Sequence, residues 1–404
     1  MIKFKASLAL SLTVLMASTL TLGQKKESKF SKKLTYPLVD TKQNEAYNNS
    51  NIIALPSKGE EFYGQDACYQ GNQPSYTDNG DGTITDKVTG LMWEKDMGSK
   101  VSPEEALQKS ENSSLAGYTD WRIPSIKELY SLIIFTGQVK GAKAIDLFID
   151  TDYFNQPLGD PSLGEREIDA QTASSTEYIG KTMNGDETIF GVNFIDGRIK
   201  GYPKYRKRTG AIIKRYFRLV RGNNDYGKNN IVDNGDGTVS DYSTGLMWQK
   251  SDDGIGRNWE ESLAYAENLK LSKYTDWRLP NAKELQSIVD YSRSPQTSSS
   301  PAINPLFATT EITDPNGKKG QYPFFWTSTT HLDGRNPYSS AVYIAFGEGQ
   351  GKMRERLMDV HGAGCQRSDP KSGDKNNYPQ FFGPQGDVRY VYNYTRAVRN
   401  IDSK

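Results

Sequence analysis

Polar and apolar positions between residues 78 and 133 follow a sequence of rhythms that recurs between 233 and 289. It opens on Asp78–Asp86, DNGDGTITD, where short polar-alternating runs flank glycines that tolerate positive φ. That pattern predicts a hairpin with a type I′ turn. Thr89–Trp93, TGLMW, then reads as a strand sending Leu91 and Trp93 into a core. Ser102-Pro103-Glu104-Glu105 supplies an N-cap, a proline at the first helical position and a glutamate at the third, so a helix starts there. Asn258 starts the same helix in the second stretch. After YTDWRIP (Tyr118–Pro124), Ser125 and Glu128 form a second capping box, with Asn281 and Glu284 as counterparts. Leu129, Leu132 and Ile133 share one helical face, as do Leu285, Ile288 and Val289. Short β runs with glycine turns follow in both stretches. Two early helices and a late antiparallel sheet predict an α+β domain built twice.

The duplication is explicit. Asp78–Lys95 matches Asp233–Lys250 at 13 of 18 positions, and YTDWRIP returns as YTDWRLP at Tyr274. SST at Ser174, VNFIDG at Val192 and RLVRG at Arg218 answer STT at Ser328, IAFGEG at Ile344 and RAVRN at Arg396. The period is too long for solenoid units, so the copies are tandem domains. Their expected bounds are 66–222 and 230–404, joined by a polar linker at 223–229. Residues 24–65 are polar and read as a flexible arm. Ahead of them, Lys3 and Lys5 precede an apolar run from Ala6 to Leu22, the pattern of a secretory signal over residues 1–23. The expected location is therefore exported: periplasm, cell surface or secreted, with no membrane span once the signal is removed.

Composition adjusts this picture modestly. Hydrophobic residues make up only 35%, yet 24 tyrosines and an aromatic share of 11% argue for folded, loop-rich domains over disorder. A net charge of +1 gives no global attraction to nucleic acid or anionic lipid. Cys68 and Cys365 are the two cysteines; in an oxidising compartment they either pair or remain free thiols.

The spaced motifs DNGDGTxxD, TGLMWxK, YTDWR(I/L)PxxKEL, the Ser/Thr motif and the final xVR strand resemble the C-terminal domain family of the Legionella collagen-like protein. The likeness covers both copies. WRLP followed by a capped helix is also similar to formylglycine-generating enzymes, which implies two tandem C-type-lectin-like domains. The family's founding member is an adhesin whose C-terminal domain engages sulfated glycosaminoglycans, but this chain lacks a Gly-X-Y collagen stretch. Many family members also carry a cysteine in the first helix and another in the last strand. Here those places hold Ser110 and Leu219, then Ala266 and Ala397.

Candidate chemistry is sparse. Asp78, Asp81, Asp86, Asp233, Asp236 and Asp241 offer hard oxygens to calcium, but their spacing fails the EF-hand pattern and a turn accounts for them. His361 and Cys365 lie close in sequence, a weak basis for a Cys–His nucleophile. Formylglycine chemistry would need paired cysteines within one copy, and neither copy has them. Arg198–Arg218 holds nine Lys or Arg and no acid. Arg198, Lys200, Lys204, Arg206, Lys207 and Arg208, with Tyr202 and Tyr205, suit sulfate or carboxylate groups and sugar faces. Lys352, Arg354 and Arg356 take the comparable place in the second copy. Trp121 and Trp277 are expected in the core, with Arg122 and Arg278 paired to acids or carbonyls and Asp120 and Asp276 capping turns. The resulting expectation is an exported, non-enzymatic protein binding an anionic glycan or a surface protein, with no cofactor and no nucleic acid. The alternatives are a structural surface scaffold and a Cys–His enzyme.

Overall fold

The computed structural model describes residues 34–139 and 145–401. The signal at 1–23 and the arm from 24 to 33 lie outside the described residues. In the first copy, strands β1 (Tyr76–Asp78), β2 (Thr83–Asp86) and β3 (Leu91–Glu94) are followed by helices α1 (Pro103–Glu111) and α2 (Ile126–Tyr130). Then come β4 (Thr172–Glu177), β5 (Thr188–Asn193), β6 (Arg198–Pro203) and β7 (Val220–Gly222). The second copy repeats this with β8 (Ile231–Asp233), β9 (Thr238–Asp241), β10 (Leu246–Gln249), α3 (Trp259–Asn268), α4 (Ala282–Ser287), β11 (Phe324–Thr330) and β12 (Ser340–Ala345). It continues with β13 (Gln350–Met353), β14 (Arg356–Asp359), β15 (Gln366–Pro370), β16 (Phe381–Phe382), β17 (Asp387–Val388) and β18 (Val398–Asn400). The mixed α/β, mainly antiparallel architecture agrees with the sequence pattern.

All four predicted capping boxes form, each closed by both reciprocal hydrogen bonds. The second helix of each copy is shorter than its apolar stripe. Leu132 and Ile133 lie beyond Tyr130, in tight turns where their N–H groups donate to Leu129 O and Tyr130 O. Their burial is nevertheless complete, because the stripe continues through the turn into the core. The DNGDG segment is also not a two-residue turn. Asp78 pairs with Ile84, and positive φ falls on Gly80 and Gly82 with Asp81 between them, so the loop is wider than type I′.

Each copy closes in the same way. The last strand pairs with β3 or β10 on one edge, and on the other meets the YTDWR string through Arg122–Val220 or Arg278–Val398 backbone bonds. The copies are then joined. β6 lies beside β15, with Ile199 opposite Gln366, so β11-β12-β15-β6-β5-β4 form one six-stranded sheet across both. One buried apolar cluster likewise draws on Trp93, Leu129 and Phe190 from the first copy and Trp248, Leu285 and Phe346 from the second.

Residues 34–65 do not form a flexible arm. Tyr36 is buried against Tyr226, and Gln43 donates to Phe135 O and Thr330 O, stitching the two copies together. Phe62 packs on Trp259. A polar composition concealed this, because buried backbone groups at the seam require polar partners as much as apolar cover. The linker is likewise packed, with Tyr226 buried.

Candidate functional site

The YTDWR string is a receptor for the last strand. Arg122 makes a two-pronged bond to Glu128 (2.8 and 2.5 Å), while Glu128 also accepts the Ser125 N–H of its capping box. Arg278 and Glu284 repeat this at 2.6 Å on both prongs. Asp120 and Asp276 do not cap turns. They hold Arg221 and Arg399 of the final strands, whose guanidinium planes also stack on Tyr118 and Tyr274. Trp121 and Trp277 are buried as expected. Ala266 and Ala397, where many family members have cysteines, lie in one buried cluster.

The six candidate calcium carboxylates serve their own turns. Asp78 and Asp233 accept the N–H of Gly80 and Gly235 and pair with Lys95 and Lys250. Asp81 and Asp236 take both the N–H and hydroxyl of Thr83 and Thr238. Asp86 accepts from Val88 and Thr89, and Asp241 from Asn230, Ser243 and Thr244. Among the described residues, no group of three or more His, Cys, Asp or Glu side chains is placed to hold a metal ion.

Cys68 and Cys365 are unpaired, the first partly exposed and the second buried. Burial pushes the Cys365 thiol well up, away from the nucleophilic thiolate. His361 hydrogen-bonds Asp387 through Nε2 (2.8 Å) rather than Cys365. Both histidines belong to a buried ionic network at the β6–β15 seam. Arg198 pairs with Asp196 and Asp333, Lys200 with Asp196, and Arg367 with Asp387. Burial pushes His331 and His361 down to about 4, so both are neutral near pH 7. Burial alone would raise Asp196, but Lys200 and Arg198 hold it at about 2.

The basic stretch is therefore divided. Arg198 and Lys200 serve the seam, with Tyr202 beneath Arg215, and Lys204 pairs with Glu177. Arg218 is fully buried, donating to the carbonyls of Glu94, Lys95 and Asn155. What stays in solvent is the hairpin tip beyond β6. Tyr205 bridges Ile212, Arg206 N–H donates to Ala211 O, and Gly210 turns the chain with φ 68°. Lys207 fastens the tip to the carbonyls of Met183 and Asn184. Arg206 and Arg208 are exposed beside the exposed Tyr205, with no carboxylate paired to either among the described residues.

Lys352, Arg354 and Arg356 are not the counterpart of this tip. The sheet order makes β15 the partner of β6, whereas Lys352 and Arg356 sit on an additional sheet, β14-β13-β17-β16, in the second copy, with Arg354 in the turn between β13 and β14. Lys352 pairs with Glu355, while Arg354 and Arg356 are exposed. Sequence reasoning missed this sheet's aromatic face, where Arg389 lies 3.5 Å over the exposed Phe382. The FFGPQG turn was its available signal.

Fold and surface together define a duplicated α/β module with most cations spent on its own carboxylates and carbonyls and a small guanidinium-rich tip left in solvent. The chain belongs to the Lcl C-terminal domain family, which matches residues 82–221 and 237–362. No curated protein and no solved structure matches it. Among the described residues, no helix is long and apolar enough to cross a membrane.

Proposed function

We propose that this is an exported, adhesin-like, non-enzymatic protein that binds an anionic polysaccharide at the Tyr205–Ile212 tip, working without a cofactor on two C-type-lectin-like copies. The observation that carries this reading is the pair Arg206 and Arg208, solvent-exposed beside Tyr205 and, among the described residues, paired to no carboxylate. Guanidinium forks bind sulfate or carboxylate groups in two-pronged fashion, and the tyrosine face stacks on a sugar ring. Family membership supports a surface role. The mature chain is expected to be retained on a sulfated-polysaccharide column at low salt and released as salt screens the contact. Arg206→Ser with Arg208→Ser should abolish retention with the melting temperature unchanged. Elution of the parent protein in the void at low salt defeats the reading.

A second reading, a scaffold contacting neighbouring surface proteins, draws on the exposed Phe382 face. Cross-linking to surface proteins that Phe382→Ser removes, without loss of polysaccharide retention, would favour it.

A further inference from the structure

The two copies differ at one equivalent place. In each, a threonine hydroxyl accepts the N–H of the residue after the second helix's N-cap: Ile126 to Thr176 and Ala282 to Thr329, both at 3.0 Å. Around each threonine stand an arginine paired to a glutamate and a lysine, Arg122 and Lys127 in the first copy and Arg278 and Lys283 in the second. In the second copy Thr329 donates its hydroxyl hydrogen to Asp66 of the chain's own N-terminal segment. Asp66 also accepts from Thr41 (2.9 Å) and is buried. Three residues on, Tyr69 lies beneath the Arg278 guanidinium. The second copy thus has its seat filled by a carboxylate carried in the same chain.

In the first copy that place is open. A cavity of about 450 Å³ is lined by Thr176, Arg122, Lys127, Glu128, Lys228 and Asp290, together with the linker and the turn after α4. Thr176 is only partly buried, and its hydroxyl hydrogen has no acceptor among the described residues. Arg122 is paired with Glu128 and Lys228 with Asp225 (3.0 Å), while Lys127 Nζ donates to the neutral oxygens of Gly227, Asn229 and Ser287, so among the described residues Lys127 is the lining cation with no carboxylate bonded to it. The volume lies at the lower end of the range for small-ligand sites, enough for one sugar ring or one amino acid.

We propose that this cavity is a carboxylate-binding site, the open counterpart of the seat that Asp66 fills in the second copy. The ligand's carboxylate accepts from the Thr176 hydroxyl, as Asp66 does from Thr329, and faces the ammonium of Lys127. A uronate and an acidic amino acid present the same group. The site shares no residue with the hairpin tip, so the two proposals stand or fall separately.

Titration calorimetry of the mature chain tests it, with each acid compared to its neutral twin: glucuronate against glucose, and N-acetylaspartate against N-acetylasparagine. At least one acid should bind at least tenfold more tightly than its twin, and the pair that discriminates identifies the source. Thr176→Val should weaken that binding at least tenfold while Thr176→Ser retains it. Lys228→Glu, at an exposed linker position, should weaken it with no change in melting temperature. The proposal is overturned if neither acid binds more tightly than about 10 mM, if the twins bind equally, or if folded Lys228→Glu protein binds as the parent does.

Discussion

Lys127 and Lys283 occupy matching positions in the two copies, and each reaches across the seam to the other. Lys127 Nζ donates to Ser287 O (2.8 Å), and Lys283 Nζ to Ser131 O (2.9 Å). Ser131 and Ser287 both follow the KEL segment at the same spacing, so the contact is reciprocal, as in a symmetric dimer interface. Tandem copies linked in one chain have reproduced the geometry of two subunits.

Burying these ammonium groups makes the seam pH-sensitive. Desolvation pushes Lys283 down to about 7 and Lys127 to about 8, against about 10.4 in an unfolded chain. Between these values the unfolded chain binds the extra proton, so this contribution to stability rises from pH 7 to pH 10. Lys283→Met has no such term. Denaturant unfolding at pH 7 and pH 9.5 should therefore show the variant losing ground to the parent at the higher pH. A constant difference would mean the lysine is not charged at a cost at pH 7.

A shared sheet and core should make the two copies unfold together. Trp121→Ala and Trp277→Ala each remove a buried indole at a cost of about 3–5 kcal/mol. Either substitution should shift one cooperative transition for the whole chain. Two separated transitions, one unmoved by the substitution, would show instead that the copies are independent.

The YTDWR string carries two ion pairs of very different worth. Arg278 and Glu284 are nearly withdrawn from solvent, and Arg278→Met would strand a buried carboxylate, at about 3–5 kcal/mol. The Asp120 side chain is 59% exposed, so Asp120→Asn should cost less than about 1 kcal/mol despite the short bond to Arg221. Equilibrium unfolding of the two variants measures the contrast. Equal losses would show that exposure does not set the value of these pairs.

Local features of the fold were legible because their causes are local. Capping boxes, strand alternation and Trp121 as core follow from residues within a few positions of one another. The partners of Arg221 and Arg218 were not legible, because they lie 101 and 124 positions away and a surplus of basic residues reads the same whether or not carboxylates fold against it. The contacts of residues 34–65 were hidden for a related reason: a polar segment resembles a flexible arm until the carbonyls and hydroxyls it satisfies are in view. In space the copies differ by a carboxylate that fills the seat in one and, among the described residues, has no equivalent in the other.

Asp66 offers the sharpest test of how that segment is held. Burial raises its carboxyl to about 7, opposed by the bonds from Thr329 and Thr41, whereas an unfolded aspartate titrates near 3.9. The folded chain therefore binds more protons between pH 4 and pH 7. The sign is opposite to that of the lysines: stability from this group is full below pH 4 and declines as pH rises through 7. Asp66→Asn removes the ionisation while keeping the shape and a carbonyl oxygen to accept the threonine hydroxyls. The variant should gain on the parent as pH climbs from 5 to 8. Limited proteolysis between residues 34 and 65 should be slower at pH 5 than at pH 8 in the parent, once protease activity at each pH is normalised, and insensitive to pH in the variant. Equal pH dependence in the two proteins would place the titrating group elsewhere.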